Sequence, residues 1–159
     1  MNVANEQVFL KAAIDLAREN VARGGRPFGA VIVKDGAIVA SGVNAVVATN
    51  DPTAHAEINA LRAASQKLAS SDLSGCRVYA SGHPCPMCMA AMRMAGIEAV
   101  AYAYSNEDAA PFGLSTAAIH AELALPRAEQ SMLIRHLPST GAAVPEIYAD
   151  WQRRQHSHR

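Results

Sequence analysis

The chain has 159 residues with 14 basic and 14 acidic side chains, so its formal net charge at pH 7 is zero. Half of the residues are hydrophobic and 18% are charged, which fits a single globular domain spanning 1–159 with a sizeable core. Neutrality argues against a protein that grips nucleic acid through phosphates. No stretch approaches the roughly 18 apolar residues of a membrane span. The expected ligand is therefore a small, weakly charged molecule.

In chain order, Val8, Phe9, Ala12, Ala13, Leu16 and Ala17 recur at helical spacing, predicting an amphipathic helix from about Glu6 to Val21 that stops at Gly24-Gly25. Its acidic residues Glu6, Asp15 and Glu19 are unlike a secretory leader, so the expected location is cytoplasmic. Ala30–Val33 and Ile38–Ala40 flank Lys34-Asp35-Gly36, the pattern of a β-hairpin with an Asp-Gly turn. The turn cluster 49–53 precedes a helix from about Ala54 to Leu68, with Thr53 as its expected N-cap. Cys76 to Ala80 reads as a buried strand, Gly82-His83-Pro84 as a loop, and Pro86 to Ala95 as a helix ended by Gly96. Ile97 to Tyr104 is the next strand. Thr116 to Leu123 reads as a helix, Met132 to Leu137 as a strand, and 145–154 as a final helix leading into the tail that ends at Arg159. Strands alternating with helices predict an α/β layered fold with a mixed sheet.

The residues that carry chemistry lie in two short pieces, His55-Ala56-Glu57 and Pro84-Cys85-Pro86-Met87-Cys88. The third cysteine, Cys76, makes the count odd, which argues against a disulfide framework and for metal or redox chemistry. Imidazole nitrogen and thiolate sulfur suit tetrahedral zinc, and three protein ligands leave a fourth position open, as in a catalytic site. Cys85 and Cys88 are three residues apart, so both thiolates share one face of a helical turn. Pro86 fits the first helical position, and the helix dipole favours the thiolates. His55 and Glu57 would diverge by roughly 200° in mid-helix. They can serve one pocket only at a helix N-terminus, so two helices are expected to aim end-on at one zinc. Glu57 is a poor zinc ligand in thiolate company and a good proton shuttle. H-x-E followed by P-C-x-x-C is the signature of zinc-dependent deaminases.

At these residues the sequence resembles the cytidine/deoxycytidylate deaminase superfamily, with its nearest likeness to bacterial guanine deaminases. The shared stretches are Pro27–Gly36, Asn50–Glu57 and Pro84–Cys88, with a similar Asp108-Ala109-Ala110. The likeness extends to about Gly113. It implies a three-layer α/β/α fold around a five-stranded mixed sheet, a homodimer, one zinc ion per subunit, and release of ammonia from a nucleobase or related amino-heterocycle, with guanine or another aminopurine favoured. By the same likeness His55, Cys85 and Cys88 hold zinc and Glu57 is catalytic. Asn44 hydrogen-bonds the base, Phe28 packs against it, Ala54 and Pro84 complete the substrate site, and the C-terminal tail helps close it. Two positions depart from the pattern. His83 stands where many members have Glu, and Gly113-Leu114-Ser115-Thr116 carries no acid where guanine deaminases have a Gly-Phe-Asp-Asp-like stretch.

Other readings of the same residues are a closed structural zinc site with Cys76 as fourth ligand, and a tRNA adenosine deaminase. The first predicts a protein that unfolds on chelation. The second needs a basic surface for the anticodon arm, which the neutral composition disfavours. Asn44 could be a turn asparagine, Phe28 a core residue and His83 a loop histidine. The methionines of the Pro86–Ala95 segment read as core filling, with Met94 bordering the pocket.

Overall fold

The structure is a computed structural model that describes residues 3–138 and 146–156. The chain divides into two compact units, residues 1–126 and 127–159.

The first unit begins with α1, Val3–Ala22, whose Phe9, Ala13 and Ala17 are buried. Strand β1, Gly29–Lys34, and β2, Ala37–Val43, pair antiparallel around Asp35-Gly36, both at positive φ as a two-residue hairpin turn demands. A short helix α2, Val46–Thr49, follows, and then α3, Ala56–Leu68. Strand β3, Cys76–Gly82, leads through His83-Pro84-Cys85 into α4, Pro86–Met94. Strand β4, Ala99–Tyr104, is followed by α5, Asn106–Ala109, a 3-10 turn at Ala110–Phe112, and α6, Ala117–Leu123.

The sheet order is β2-β1-β3-β4. Strand β1 runs antiparallel to β2 and β3, and β4 runs parallel to β3. A mixed sheet follows from the connections: a tight turn reverses the chain between β1 and β2, whereas β3 and β4 are joined by a crossover through α4. Side chains alternate across the sheet. Ala30, Ile32, Val78 and Ala80 face α3 and α4, packing with Ala60, Leu61, Ala64 and Met92. Val31, Val33 and Tyr79 face the opposite way and pack on Phe9 and Leu16 of α1. The central strand β1 is buried on both faces, and this accounts for its unbroken apolar run Ala30-Val31-Ile32-Val33. The unit is thus a three-layer α/β/α arrangement, as expected.

Close contact between β2 and α3 depends on Gly42. A Cβ there would lie 2.3 Å from the Ala56 carbonyl oxygen and 2.5 Å from the Ala60 nitrogen, both backbone atoms that cannot swing away. Gly→Ala at a tolerant strand site would stabilise by reducing unfolded-chain entropy. Gly42→Ala should do the reverse and cost about 1–3 kcal/mol through overpacking. A urea midpoint unchanged or raised by the substitution would contradict this packing.

Among the described residues the sheet has four strands, not the expected five. The segment Met132–Leu137, expected as a strand, forms none. Its Met132, Leu133 and Leu137 are exposed, Arg135-His136 interrupts the apolar run, and Pro138 has no backbone N–H to extend a ladder. An apolar run becomes a strand only where a neighbour accepts its backbone hydrogen bonds. The second unit otherwise contains a 3-10 turn at Arg127–Glu129 and α7, Glu146–His156, on which Trp151 is exposed. The expected helix start at 145 lies outside the described residues. No helix among the described residues is long and apolar enough to cross a membrane.

Candidate metal centre and substrate pocket

Helix α3 starts later than its sequence suggests, and that delay shapes the site. Thr53 is not the N-cap. The Asp51 carboxylate accepts hydrogen bonds from Thr53 N at 2.8 Å and Thr53 Oγ1 at 2.7 Å, which closes a turn before the helix begins. The capping position falls to His55, in extended conformation, with no side-chain cap bond. Its imidazole is free to turn toward the helix end. Helix α4 repeats the arrangement: Cys85 is the N-cap in extended conformation, Pro86 occupies the first turn, and Cys88 lies one turn further in.

The two helix starts meet. Cys85 Sγ lies 3.4 Å from His55 Nδ1, Cys88 Sγ lies 3.6 Å from the same nitrogen, and the two sulfurs are 3.6 Å apart. Tetrahedral zinc with ordinary Zn–S and Zn–N bonds would space two sulfurs by about 3.8 Å and sulfur from nitrogen by about 3.6 Å. The triangle therefore fits a zinc ion without rearrangement. All three ligand atoms fall within 4.8 Å of one another. Cys76 is absent from this group. It is fully buried at the start of β3, where burial pushes its thiol up. The closed four-ligand reading thus loses its fourth ligand.

The electrostatics suit a cation. Cys85 is held down to about 4, first by the Cys88 thiol beside it and then by His55. Cys88 is pushed up by its bond to Cys85 and by burial. His55 is raised, chiefly by its contact with Cys85. A bound divalent ion would hold both cysteines as thiolates.

Glu57 is buried in the first turn of α3, 7% exposed, with Oε2 3.4 Å from Cys88 Sγ. Burial raises its carboxyl above the ordinary value. A carboxyl lifted in this way can exchange a proton with a group beside it.

A cavity of about 270 Å³ opens over His55, Cys85 and Glu57. Asn44, Phe28, Arg26 and His83 line it, together with Gly113, Leu114, Ser115, Thr116 and Ile119. Asn44 is buried, and its Oδ1 accepts from Val46 N at 3.2 Å, which orients the amide nitrogen as a donor. Phe28 packs over Gly82 at the cavity wall. Ala54 and Pro84 do not line the cavity. Both are buried, Ala54 O is bonded by Ala45 N, and Pro84 O accepts from His120 Nε2 at 3.1 Å. Met94 is exposed and does not border the site, whereas Met92 fills the core. Sequence reasoning missed Arg26 and Asn106. A lone arginine before Pro27 gives no periodic signal, and Asn106 gains meaning only through its bonds to residues distant in sequence.

Comparison with known proteins agrees with this geometry. Residues 3–104 match the cytidine and deoxycytidylate deaminase zinc-binding region. The guanine deaminase of Bacillus subtilis (strain 168) is 48% identical over 129 residues, 80% of this chain and 83% of that protein. The X-ray structure of guanine deaminase from Bacillus subtilis superposes with a TM-score of 0.82 at 42% identity, covering 98% of this chain and 95% of that one. A tRNA-specific adenosine deaminase from Aquifex aeolicus (strain VF5) is 39% identical over 97 residues, 61% of this chain and 64% of that protein. Two helix ends presenting His55, Cys85 and Cys88 to one zinc ion, and a match across the zinc-binding region, lead to one conclusion: the chain belongs to the cytidine and deoxycytidylate deaminase family and is a zinc-dependent hydrolytic deaminase.

Proposed function

We propose that the protein removes the exocyclic amine of a free aminopurine or closely related amino-heterocycle, with Glu57 as the proton carrier. The observation that carries this reading is the buried Glu57 carboxyl, beside the His55–Cys85–Cys88 triangle, on a pocket of base-like volume. A zinc ion held by His55, Cys85 and Cys88 would lower the pKa of a water toward neutrality. Glu57 accepts a proton from the attacking water as its oxygen adds to the amine-bearing ring carbon. Glu57 then delivers the proton to the adjacent ring nitrogen. It carries a second proton from the added oxygen to the departing amine, the C–N bond breaks, and ammonia and the oxo-heterocycle result. Asn44 and Phe28 hold the ring, the first through its amide and the second by packing on a face.

The likeness to the Bacillus subtilis guanine deaminase supports a free base as substrate and extends over more of the chain than the likeness to the tRNA-specific adenosine deaminase. A homodimer is proposed from the family resemblance, and a cytoplasmic location from the acidic residues Glu6, Asp15 and Glu19 of the N-terminal segment.

The test is ammonia release by zinc-loaded protein from guanine, adenine, cytosine, their nucleosides, pterins, aminotriazines and tRNA. Turnover of a free aminopurine is expected. Release from tRNA alone would overturn the proposal.

A further inference from the structure

His83 occupies the cavity wall where the resemblance leads one to expect an acid. Its surroundings determine which of its nitrogens can donate. Thr116 N donates to Asn106 Oδ1 at 2.9 Å, and Thr116 Oγ1 lies 3.3 Å from the same atom. A backbone N–H can only donate, so the atom it reaches must be the amide oxygen. The amide nitrogen of Asn106 therefore faces His83 Nδ1, at 3.1 Å. An NH₂ group can only donate, so Nδ1 accepts, and the ring hydrogen is on Nε2. Asn106 is buried and belongs to α5, whose start is closed by a reciprocal capping box between Ser105 and Asp108. The anchor is thus rigid. The imidazole plane is fixed too: His83 N donates to Tyr104 O at 2.8 Å, and the ring stacks on Tyr102 with centroids 4.5 Å apart and planes 9° from parallel. His120 packs against it at an angle, 5.1 Å between centroids. Nothing among the described residues hydrogen-bonds His83 Nε2, which lies on the ring edge away from Asn106.

We infer that His83 Nε2–H is a substrate-reading donor, preset by Asn106, which selects an amino-heterocycle presenting a ring carbonyl or an unprotonated ring nitrogen to it. The inference rests on the deaminase reading above and sharpens its substrate class. The rest of the cavity has the same bias. Arg26 can only donate, and the Asn44 amide nitrogen is a donor. Among the described residues Glu57 is the only carboxylate on the wall, and Gly113–Thr116 adds none. A pocket rich in donors rewards acceptors at the substrate edge and leaves those donors unpaired when an acceptor is missing.

The test pairs variants of His83 with substrates that each lack one acceptor. His83→Phe keeps a flat ring against Tyr102 and removes the donor. His83→Gln keeps a donor near the Nε2 position. The substrates are guanine, 2-aminopurine (no O6) and 7-deazaguanine (no N7), all of which keep the ring nitrogen that Glu57 protonates. With wild-type protein, kcat/KM should fall about tenfold or more for one analogue. His83→Phe should lose a similar factor on guanine and nothing further on that analogue, while His83→Gln recovers part of the loss. Zinc content and melting curves confirm that each variant is intact, and His83→Gln serves if His83→Phe fails to fold. A loss equal on all three substrates, or no loss, would overturn the inference while leaving the deaminase reading standing. No turnover of guanine or its analogues by wild-type protein would instead remove the aminopurine reading, and His83 selectivity with it. A second readout is independent of turnover. Long-range ¹H–¹⁵N spectra, with the His83 signal assigned by its loss in His83→Phe, should show the hydrogen on Nε2. A hydrogen on Nδ1 would overturn the inference whatever the kinetics.

Discussion

Glu57→Gln is expected to keep one zinc ion per chain and to lose about 10²–10⁴-fold in kcat, the usual contribution of a positioned acid/base group. The substitution is isosteric, and glutamine is no better a zinc ligand than the buried acid it replaces. What it removes is the ability to take a proton and return it. The same substitution has a stability signature in metal-free protein. Burial raises the Glu57 carboxyl above its ordinary value near 4.5, so folding favours the protonated form. Its favourable contribution is complete below the unfolded value and is lost as pH rises through the folded one. Relative to wild type, the melting temperature of metal-free Glu57→Gln should therefore rise as pH is taken from acid to neutral. A variant that retains wild-type kcat would end the proton-carrier role, and a variant without zinc would show that Glu57 is a ligand.

The second large effect concerns the triangle itself. His55→Ala or Cys88→Ala should reduce bound zinc from one per chain to a small fraction and bring ammonia release to background. Each removes one corner of an arrangement whose edges are 3.4, 3.6 and 3.6 Å. No nearby His or Cys among the described residues can take the missing place. Cys76→Ala is the matched control: it trims a buried core residue on β3 and should leave zinc and kcat unchanged. Zinc loss in Cys76→Ala would revive the closed four-ligand site. Metal analysis by plasma spectrometry of the purified variants separates these outcomes.

The site was legible in the sequence because its determinants are local. The 85/88 spacing places two sulfurs on one helical turn whatever the rest of the chain does, and Pro86 marks where that helix begins. His55 and Glu57 cannot share a pocket except at a helix end, so their spacing predicts an end-on geometry, and the structure has it. The hairpin was equally local, carried by Asp35-Gly36 between apolar runs. What could not be read depends on competition between distant or alternative partners. Thr53 has the chemistry of a cap, but Asp51 captures both its N–H and its hydroxyl. Met132–Leu137 has a strand-like composition, yet composition does not supply a pairing neighbour. His83 was recognisable only as a departure. Its donor role depends on Asn106 and Thr116, 23 and 33 residues further along the chain. No periodicity connects those three residues.

Zinc held by His55, Cys85 and Cys88 is the agent of hydrolysis. Stepwise return of zinc to chelated, folded protein, with ammonia release from the best aminopurine substrate followed at each step, tests it most directly. The rate should rise in proportion to added zinc and reach its plateau at one ion per chain. Full activity in the chelated protein, or a plateau reached without any gain in rate, would contradict it.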